Sequence, residues 1–247
     1  MSSDCKSRGL SGNMLKILAA VTMAVDHAGM LLFPRSLIFR IIGRLAFPIY
    51  AFMIAQGCRY TRSRLKYFLS VFLLGSLCQG AYLVVGGDLY LNVLLTFSLS
   101  IPVIYLLQWL RAAATDPEIS GTRLLVRTLV VLTAVAGVWM MNEWLTFDYG
   151  FYGCMLPVFA SLLQPRRDTK ADCLSFLDRN VIHVSLLGVG LVLLSLRYGG
   201  IQSFSLLSLP FLYAYSGRRG TGNLKTFFYL FYPAHLVILE GIRLLIS

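Results

Sequence analysis

Charge is what this chain has least of. Only 13% of its 247 residues are Asp, Glu, Lys or Arg, and just 11 of them are acids. A soluble globular domain carries about 25% charged residues, so the polar exterior that water requires is missing here. Cysteine is sparse as well. The five present (Cys5, Cys58, Cys78, Cys154 and Cys173) are odd in number and form no C-x-x-C pair. That argues against a disulfide or zinc framework and for plain apolar packing, and no metal is expected. Internal repeats, low-complexity tracts and any soluble domain are absent too. Gly188-Val-Gly190 sits inside an apolar run without a strand before it, which excludes a dinucleotide fingerprint.

What fills the chain instead is apolar: 57% of residues are hydrophobic, and the mean hydropathy is +0.72. The expected fold class is all-α, a polytopic integral membrane helical bundle forming a single transmembrane domain over residues 1–247. Runs long enough to span a bilayer, or nearly so, predict about nine helices: Asn13–Phe33, Leu37–Gly57, Leu65–Val85, Tyr90–Leu110, Leu124–Met141, Phe151–Leu163, Val181–Leu196, Ile201–Tyr215 and Thr226–Ile246. The sixth and eighth fall near or below the lower limit of roughly 17 residues and read as tilted or re-entrant. The first has basic residues ahead of it like a signal peptide. It is too long for that role and contains Asp26, so it reads as a retained anchor.

Positive charge alternates between the connections. Lys6, Arg8 and Lys16 come at the first span, Arg59, Arg62, Arg64 and Lys66 after the second, and Arg111, Arg123 and Arg127 after the fourth. Arg166, Arg167, Lys170 and Arg179 follow the sixth, and Arg218, Arg219 and Lys225 the eighth. The other connections carry Asp88, then Glu143 and Asp148, then little but Arg197. This pattern places the N-terminus inside. The net charge of +11 is then explained by basic loops beside anionic lipid, and no nucleic-acid partner is called for. One outer connection breaks the rule, with Arg35 and its neighbours Arg40 and Arg44.

That exception lies next to Asp26 and His27, adjacent in the first span. An ionised carboxylate at membrane depth is costly, so it faces a partner or a cavity. Arg40, Arg44 and Pro48 are spaced by four and share a helix face. The economical arrangement pairs Asp26 with Arg44 and leaves His27, about 100° around the helix, facing a cavity. Either the cluster acts chemically, since imidazole titrates near neutrality, or it is an ion pair bracing two helices. His235, in Phe231-Tyr-Pro-Ala-His235, is a second candidate, with Pro233 marking a break in the last span; a helix–helix hydrogen bond is the alternative. Asn92 and Thr96 share a face by their i, i+4 spacing and either line the same cavity or act as polar glue. Asp148-Tyr149-Gly150 opens the sixth span, where Asp148 either receives a cationic acceptor or is a solvated loop acid. Glu240 and Arg243 are expected to pair with each other.

These residues carry a resemblance. Met23-Ala-Val-Asp-His27, Gly43-Arg-Leu-Ala-Phe-Pro48 with Phe52 and Gly57, Asn92-Val-Leu-Leu-Thr96, Asp148-Tyr-Gly150 with Gly153, and Phe231-Tyr-Pro-Ala-His235 together resemble the TraX family. That family is named for a conjugative-transfer protein that N-acetylates pilin. More distantly, the chain is similar to transmembrane acetyltransferases such as heparan-α-glucosaminide N-acetyltransferase. The resemblance implies a bacterial cytoplasmic membrane protein that moves an acetyl group from cytosolic acetyl-CoA to an acceptor at the outer face: a pilin N-terminus, a sugar or another amine or hydroxyl. It implies His27 as general base with His235 second, and Arg44 or Asn92 as oxyanion donors beside Asp26. Arg40, Thr96, Asp148 and Tyr149 would contact the acceptor, and Arg59, Arg62, Arg218 and Arg219 the CoA phosphates. A proton-coupled transporter or channel, or a non-catalytic membrane scaffold, is the competing reading. The lack of internal symmetry counts against a transporter.

Overall fold

The computed structural model describes residues 9–84, 90–166, 174–222 and 224–246. Lys6, Arg8, Asp88, Arg167, Lys170, Cys5 and Cys173 lie outside the described residues. Among those described every regular element is helical, with only two isolated β-bridges, Leu10 to Tyr215 and Leu91 to Phe147. The α-helices are α1 Gly12–Leu31, α2 Leu37–Gly43, α3 Ala46–Tyr60, α4 Arg64–Val84, α5 Val93–Ala114, α6 Gly121–Trp144, α7 Gly150–Ser161, α8 Asn180–Tyr198, α9 Leu209–Tyr213 and α10 Lys225–Ile246. Ser175–Leu177 and Gly200–Ser208 are 3₁₀ helices.

Six helical stretches are long and apolar enough to cross a membrane: Gly12–Leu31, Leu37–Tyr60, Val93–Ala114, Gly121–Trp144, Asn180–Tyr198 and Phe227–Ile246. Several present their apolar side chains outward. Only 11% of the apolar window of α6 and 6% of that of α10 is buried, the pattern of helices whose solvent is lipid rather than water.

Three sequence expectations need correction. Leu37–Gly57 is not one uninterrupted helix: α2 ends at Gly43, a turn occupies Arg44 and Leu45, and α3 continues to Tyr60. Ile201–Tyr215 is not an α-helical span but nine residues of 3₁₀ helix followed by the five of α9. It opens on Gly199 and Gly200 at φ 63° and 51°, values that glycine adopts without strain. Pro233 does not break the last helix, since α10 runs through it. The brevity of the sixth span does hold. α7 has 12 residues, about 18 Å at 1.5 Å per residue, too short to cross alone.

The chain divides into two compact units, residues 1–50 with 199–247, and residues 51–198. In the first, α1 packs along α2 and α10, and the Gly200–Ser208 helix lies against α2. Two glycines let α1 and α2 approach: a Cβ at Gly29 would strike Phe39, and one at Gly43 would strike the Asp26 side chain. The start of α1 is tied to the loop after α9. Ser11 caps it through the Met14 amide, and the Gly12 and Asn13 amides donate to the carbonyls of Arg218 and Arg219 at 2.8 and 2.9 Å.

In the second unit α5 is central, contacting α4, α6 and α7, and α7 packs on α8. Phe97, Ile101, Ile104, Cys154, Leu156, Leu187 and Leu191 form its core. Asn92 caps α5, and at the head of α7 Tyr149 and Gly150 both take left-handed conformations (φ 59° and 53°).

Candidate functional site

Within the first unit the turn at Arg44 delivers two arginines to one carboxylate. Arg40 Nη1 donates to Asp26 Oδ2 at 2.8 Å, while Arg44 Nη2 donates to Oδ1 and Oδ2 at 2.9 and 3.0 Å. The expected Asp26–Arg44 pair is present. Arg40, expected to meet the acceptor, shares the same carboxylate. Arg44 also reaches the backbone carbonyl of Arg40 through Nε, at 3.4 Å, and Gln202 Oε1 through Nη1, at 3.3 Å. The carboxylate is therefore saturated by charge-assisted bonds, as a charge at membrane depth requires.

His27 turns to a second histidine. His235 Nε2 lies 3.0 Å from His27 Nδ1, and His235 Nδ1 lies 2.9 Å from the carbonyl oxygen of Phe231, one helical turn earlier. This chain of contacts determines the tautomers of the neutral pair. A carbonyl only accepts, so His235 Nδ1 carries the proton and Nε2 holds the lone pair. His27 Nδ1 must then donate to it, which leaves the His27 lone pair on Nε2. Phe231 stacks on the His235 ring at 5.1 Å between centroids and holds its plane.

Gln202 was not singled out from the sequence. Its side chain is buried at 6% exposure, Arg44 holds its Oε1, and its Nε2 has no hydrogen-bond partner. Ser205, one 3₁₀ turn on and fully buried, likewise has an unpartnered hydroxyl. The signal available in the sequence was the Gly199-Gly200 pair, which starts a non-α segment and turns Gln202 inward. Read as an apolar span, that segment made its one glutamine inconspicuous.

The other expected site residues lie in the second unit. Asn92 Oδ1 accepts from the Leu94 and Leu95 amides, and its Nδ2 donates to the Gly75 carbonyl and to Gln79 Oε1. Both carboxamide ends are thus engaged in capping α5 against α4. Thr96 donates to the Asp148 carbonyl at 3.1 Å, and the Asp148 carboxylate accepts from Tyr90 at 3.1 Å. Tyr149 is the left-handed residue that turns the chain into α7. Arg59 forms a bidentate pair with Asp178, 2.6 Å on both arms, and His183 Nε2 meets the same carboxylate at 2.9 Å. Burial pushes the Asp178 carboxyl up, but the hydrogen bonds from Arg59 and His183 outweigh it and hold it below the ordinary carboxylate value. Arg62 is exposed, as are Arg218 and Arg219 in the first unit. No group of three or more metal-ligating side chains gathers among the described residues.

The geometry of the first unit rests on Asp26, His27, Gly43, Arg44 and His235, and comparison with known proteins meets the same stretches. The family model described as TraX protein matches residues 11–243. The chain belongs to the TraX family. A probable fimbrial assembly protein FimC of Dichelobacter nodosus is 24% identical over 265 residues, covering 96% of this chain and 97% of its own. An uncharacterized protein of Rickettsia prowazekii is 48% identical over 40 residues, 16% of each chain. No solved structure matches. This TraX-family chain is a helical membrane protein, and its polar centre lies on elements that the family match spans.

Proposed function

We propose that this TraX-family protein is a transmembrane acyltransferase that transfers an acetyl group from cytosolic acetyl-CoA to an amine or hydroxyl at the outer face of a bacterial cytoplasmic membrane, with its N-terminus inside. The similarity to a probable fimbrial assembly protein favours a pilus or fimbrial subunit as acceptor. The observation that carries the reading is the His27–His235 pair beside the Asp26 carboxylate and its two arginines. Here the sequence of acceptors leaves one imidazole lone pair, on His27 Nε2, as the basic atom.

In this reading His27 Nε2 removes a proton from the attacking amine or hydroxyl as its nitrogen or oxygen bonds to the acetyl carbonyl carbon. The thioester carbon–sulfur bond breaks, and the proton passes to the departing sulfur. His235 holds the His27 ring by its Nδ1–H and spreads the charge the ring acquires. The Gln202 Nε2–H, set by Arg44, is the donor for the carbonyl oxygen as negative charge develops there. This role passes to Gln202 because the Asn92 amide is engaged in its cap. Arg62, Arg218 and Arg219 are exposed cations suited to meeting a phosphate-bearing donor. Asp148 and Tyr149 are offered to a cationic acceptor.

The test is acetyl transfer by the purified full chain in nanodiscs, with labelled acetyl-CoA and a peptide bearing a free N-terminus. Wild type is expected to label the peptide. His27→Ala is expected to abolish labelling while its thermal melt stays unchanged. Equal rates in the two proteins remove His27 from the mechanism.

A further inference from the structure

A second polar gathering lies at one end of the second unit and shares no residue with the base or oxyanion donor used above. Its members come from the ends of several helices, and contacts between those helices show that they lie level. Thr96 and Ser100 on α5 donate to the carbonyls of Asp148 and Cys154 at and in α7. The two helices therefore run in the same direction. The same register carried along both brings Gln108 and Arg111 level with the stretch just past α7 that contains Gln164. α8 runs the other way along α7: Gly150 lies against Tyr198, and Gly190 against Leu156 and Phe159. That register brings His183 level with Gln164. Tyr105 donates to the Arg64 carbonyl, and Arg64 donates to Gln108 Oε1 at 3.4 Å.

The floor of this gathering is buried and polar. Gln164 is 1% exposed, and neither its Nε2 nor its Oε1 has a hydrogen-bond partner. Gln108 Nε2, on a residue 6% exposed, and His183 Nδ1, on a residue 2% exposed, are also unpartnered. The half-buried rim carries Arg64, whose Nε is unpartnered, and the Arg59–Asp178 pair. Buried amides without partners lower stability unless something else satisfies them. Three of the unmatched atoms, Gln164 Nε2, Gln108 Nε2 and Arg64 Nε, are N–H donors, while neutral His183, which gives its Nε2–H to Asp178, keeps a lone pair on Nδ1. Among the described residues the carboxylate in the gathering is Asp178, which is neutralised by Arg59 and hydrogen-bonded by His183.

We infer that this end of the second unit is a binding site for a phosphate-bearing anion, with the Gln108 and Gln164 amides forming its floor and Arg64 its rim. Several N–H donors around a cation match the many acceptor oxygens of a phosphate or diphosphate. The site does not require acetyl transfer. On the reading proposed above, its ligand is the diphosphate of the acyl donor.

The experiment measures binding of inorganic pyrophosphate and of CoA to the full chain in phosphatidylcholine nanodiscs, by calorimetry and by thermal shift. Wild type is expected to bind saturably and to melt higher with ligand. Gln164→Leu removes an unmatched amide at nearly constant volume. It is expected to melt at the same temperature or higher without ligand, yet to bind pyrophosphate at least tenfold more weakly; a merely structural glutamine would leave binding unmoved. Arg64→Gln is expected to weaken binding to the same degree. No saturable binding by wild type, or wild-type affinity in Gln164→Leu, overturns the inference. Repeating the titration with phosphatidylglycerol in the nanodisc distinguishes the source. Loss of pyrophosphate binding in wild type assigns the site to a phosphodiester headgroup, and retention assigns it to a soluble phosphate. His27→Ala is expected to bind pyrophosphate as wild type does, and a wild type that binds pyrophosphate but transfers no acetyl group counts against the acyltransferase reading and not against this site.

Discussion

The Asp26–His235 network of the first unit and the Gln164 end of the second treat buried polarity in opposite ways. In the first, Asp26 receives three hydrogen bonds from Arg40 and Arg44, and His27 and His235 complete each other through a backbone carbonyl. In the second, the end that holds Gln164, Gln108 and His183 leaves amide and imidazole atoms unmatched. A saturated network holds side chains in one geometry, which suits groups that must present a single lone pair. An unsaturated one sacrifices stability and gains from whatever fills it. The difference separates a place built for alignment from a place built for capture.

The strongest way to break that contrast is chemical. His27→Ala is expected to lower acetyl transfer by about 10²–10⁴-fold, the usual worth of a general base, and His235→Ala by a smaller factor, since it orients rather than accepts the proton. Transfer rates in nanodiscs at matched protein concentration check both. Next in size is Asp26→Ala, which takes the shared carboxylate from Arg44 (12% exposed) and Arg40 (31% exposed) and is expected to cost about 2–3 kcal/mol. A fall in the detergent melting temperature, far beyond any change in Gln164→Leu, would sharpen the contrast. A melt equal to wild type would break it.

How much of this was readable beforehand depends on context. A carboxylate in an apolar run is conspicuous, so Asp26 and its Arg44 partner could be named from residue spacing alone. The His27–His235 contact joins residues 208 positions apart, and nothing local marks it. Both histidines could be picked as candidates but not as partners. The short α7 was visible because glycines and a following basic stretch bound it. The nine-residue 3₁₀ segment was hidden, because its alternating serines and apolar residues have enough hydropathy to pass for a span. Nothing in the sequence pattern singles out His183. Its partner Asp178 lies five positions earlier, outside the i, i+4 reach of a regular helix, and meets it only because the chain turns ahead of α8.

Asn92→Ala gives a smaller, structural effect. Loss of the α5 cap and of the bonds to Gly75 and Gln79 is expected to cost about 1–2 kcal/mol, with transfer kinetics otherwise unchanged once folding is corrected for. A selective loss of transfer at full stability would return Asn92 to the chemistry. The smallest effect is in pH. Asp178 is held below its ordinary value, so its contribution to stability is fully present above the unfolded carboxylate value near 4 and is lost as pH falls through the depressed folded value. Melts between pH 3 and 7 are expected to show that acid loss in wild type and a flatter profile in Asp178→Asn.

The first unit is stitched from two stretches of the polypeptide far apart in sequence, residues 1–50 and 199–247, with the second unit encoded in between. A ribosome adding about 5–20 residues per second takes on the order of ten to forty seconds to travel from His27 to His235. During that interval the early hairpin of α1 and α2 waits for its counterpart. A nascent or truncated product that lacks α10 cannot assemble the paired imidazoles, so the pair itself certifies that synthesis has passed His235.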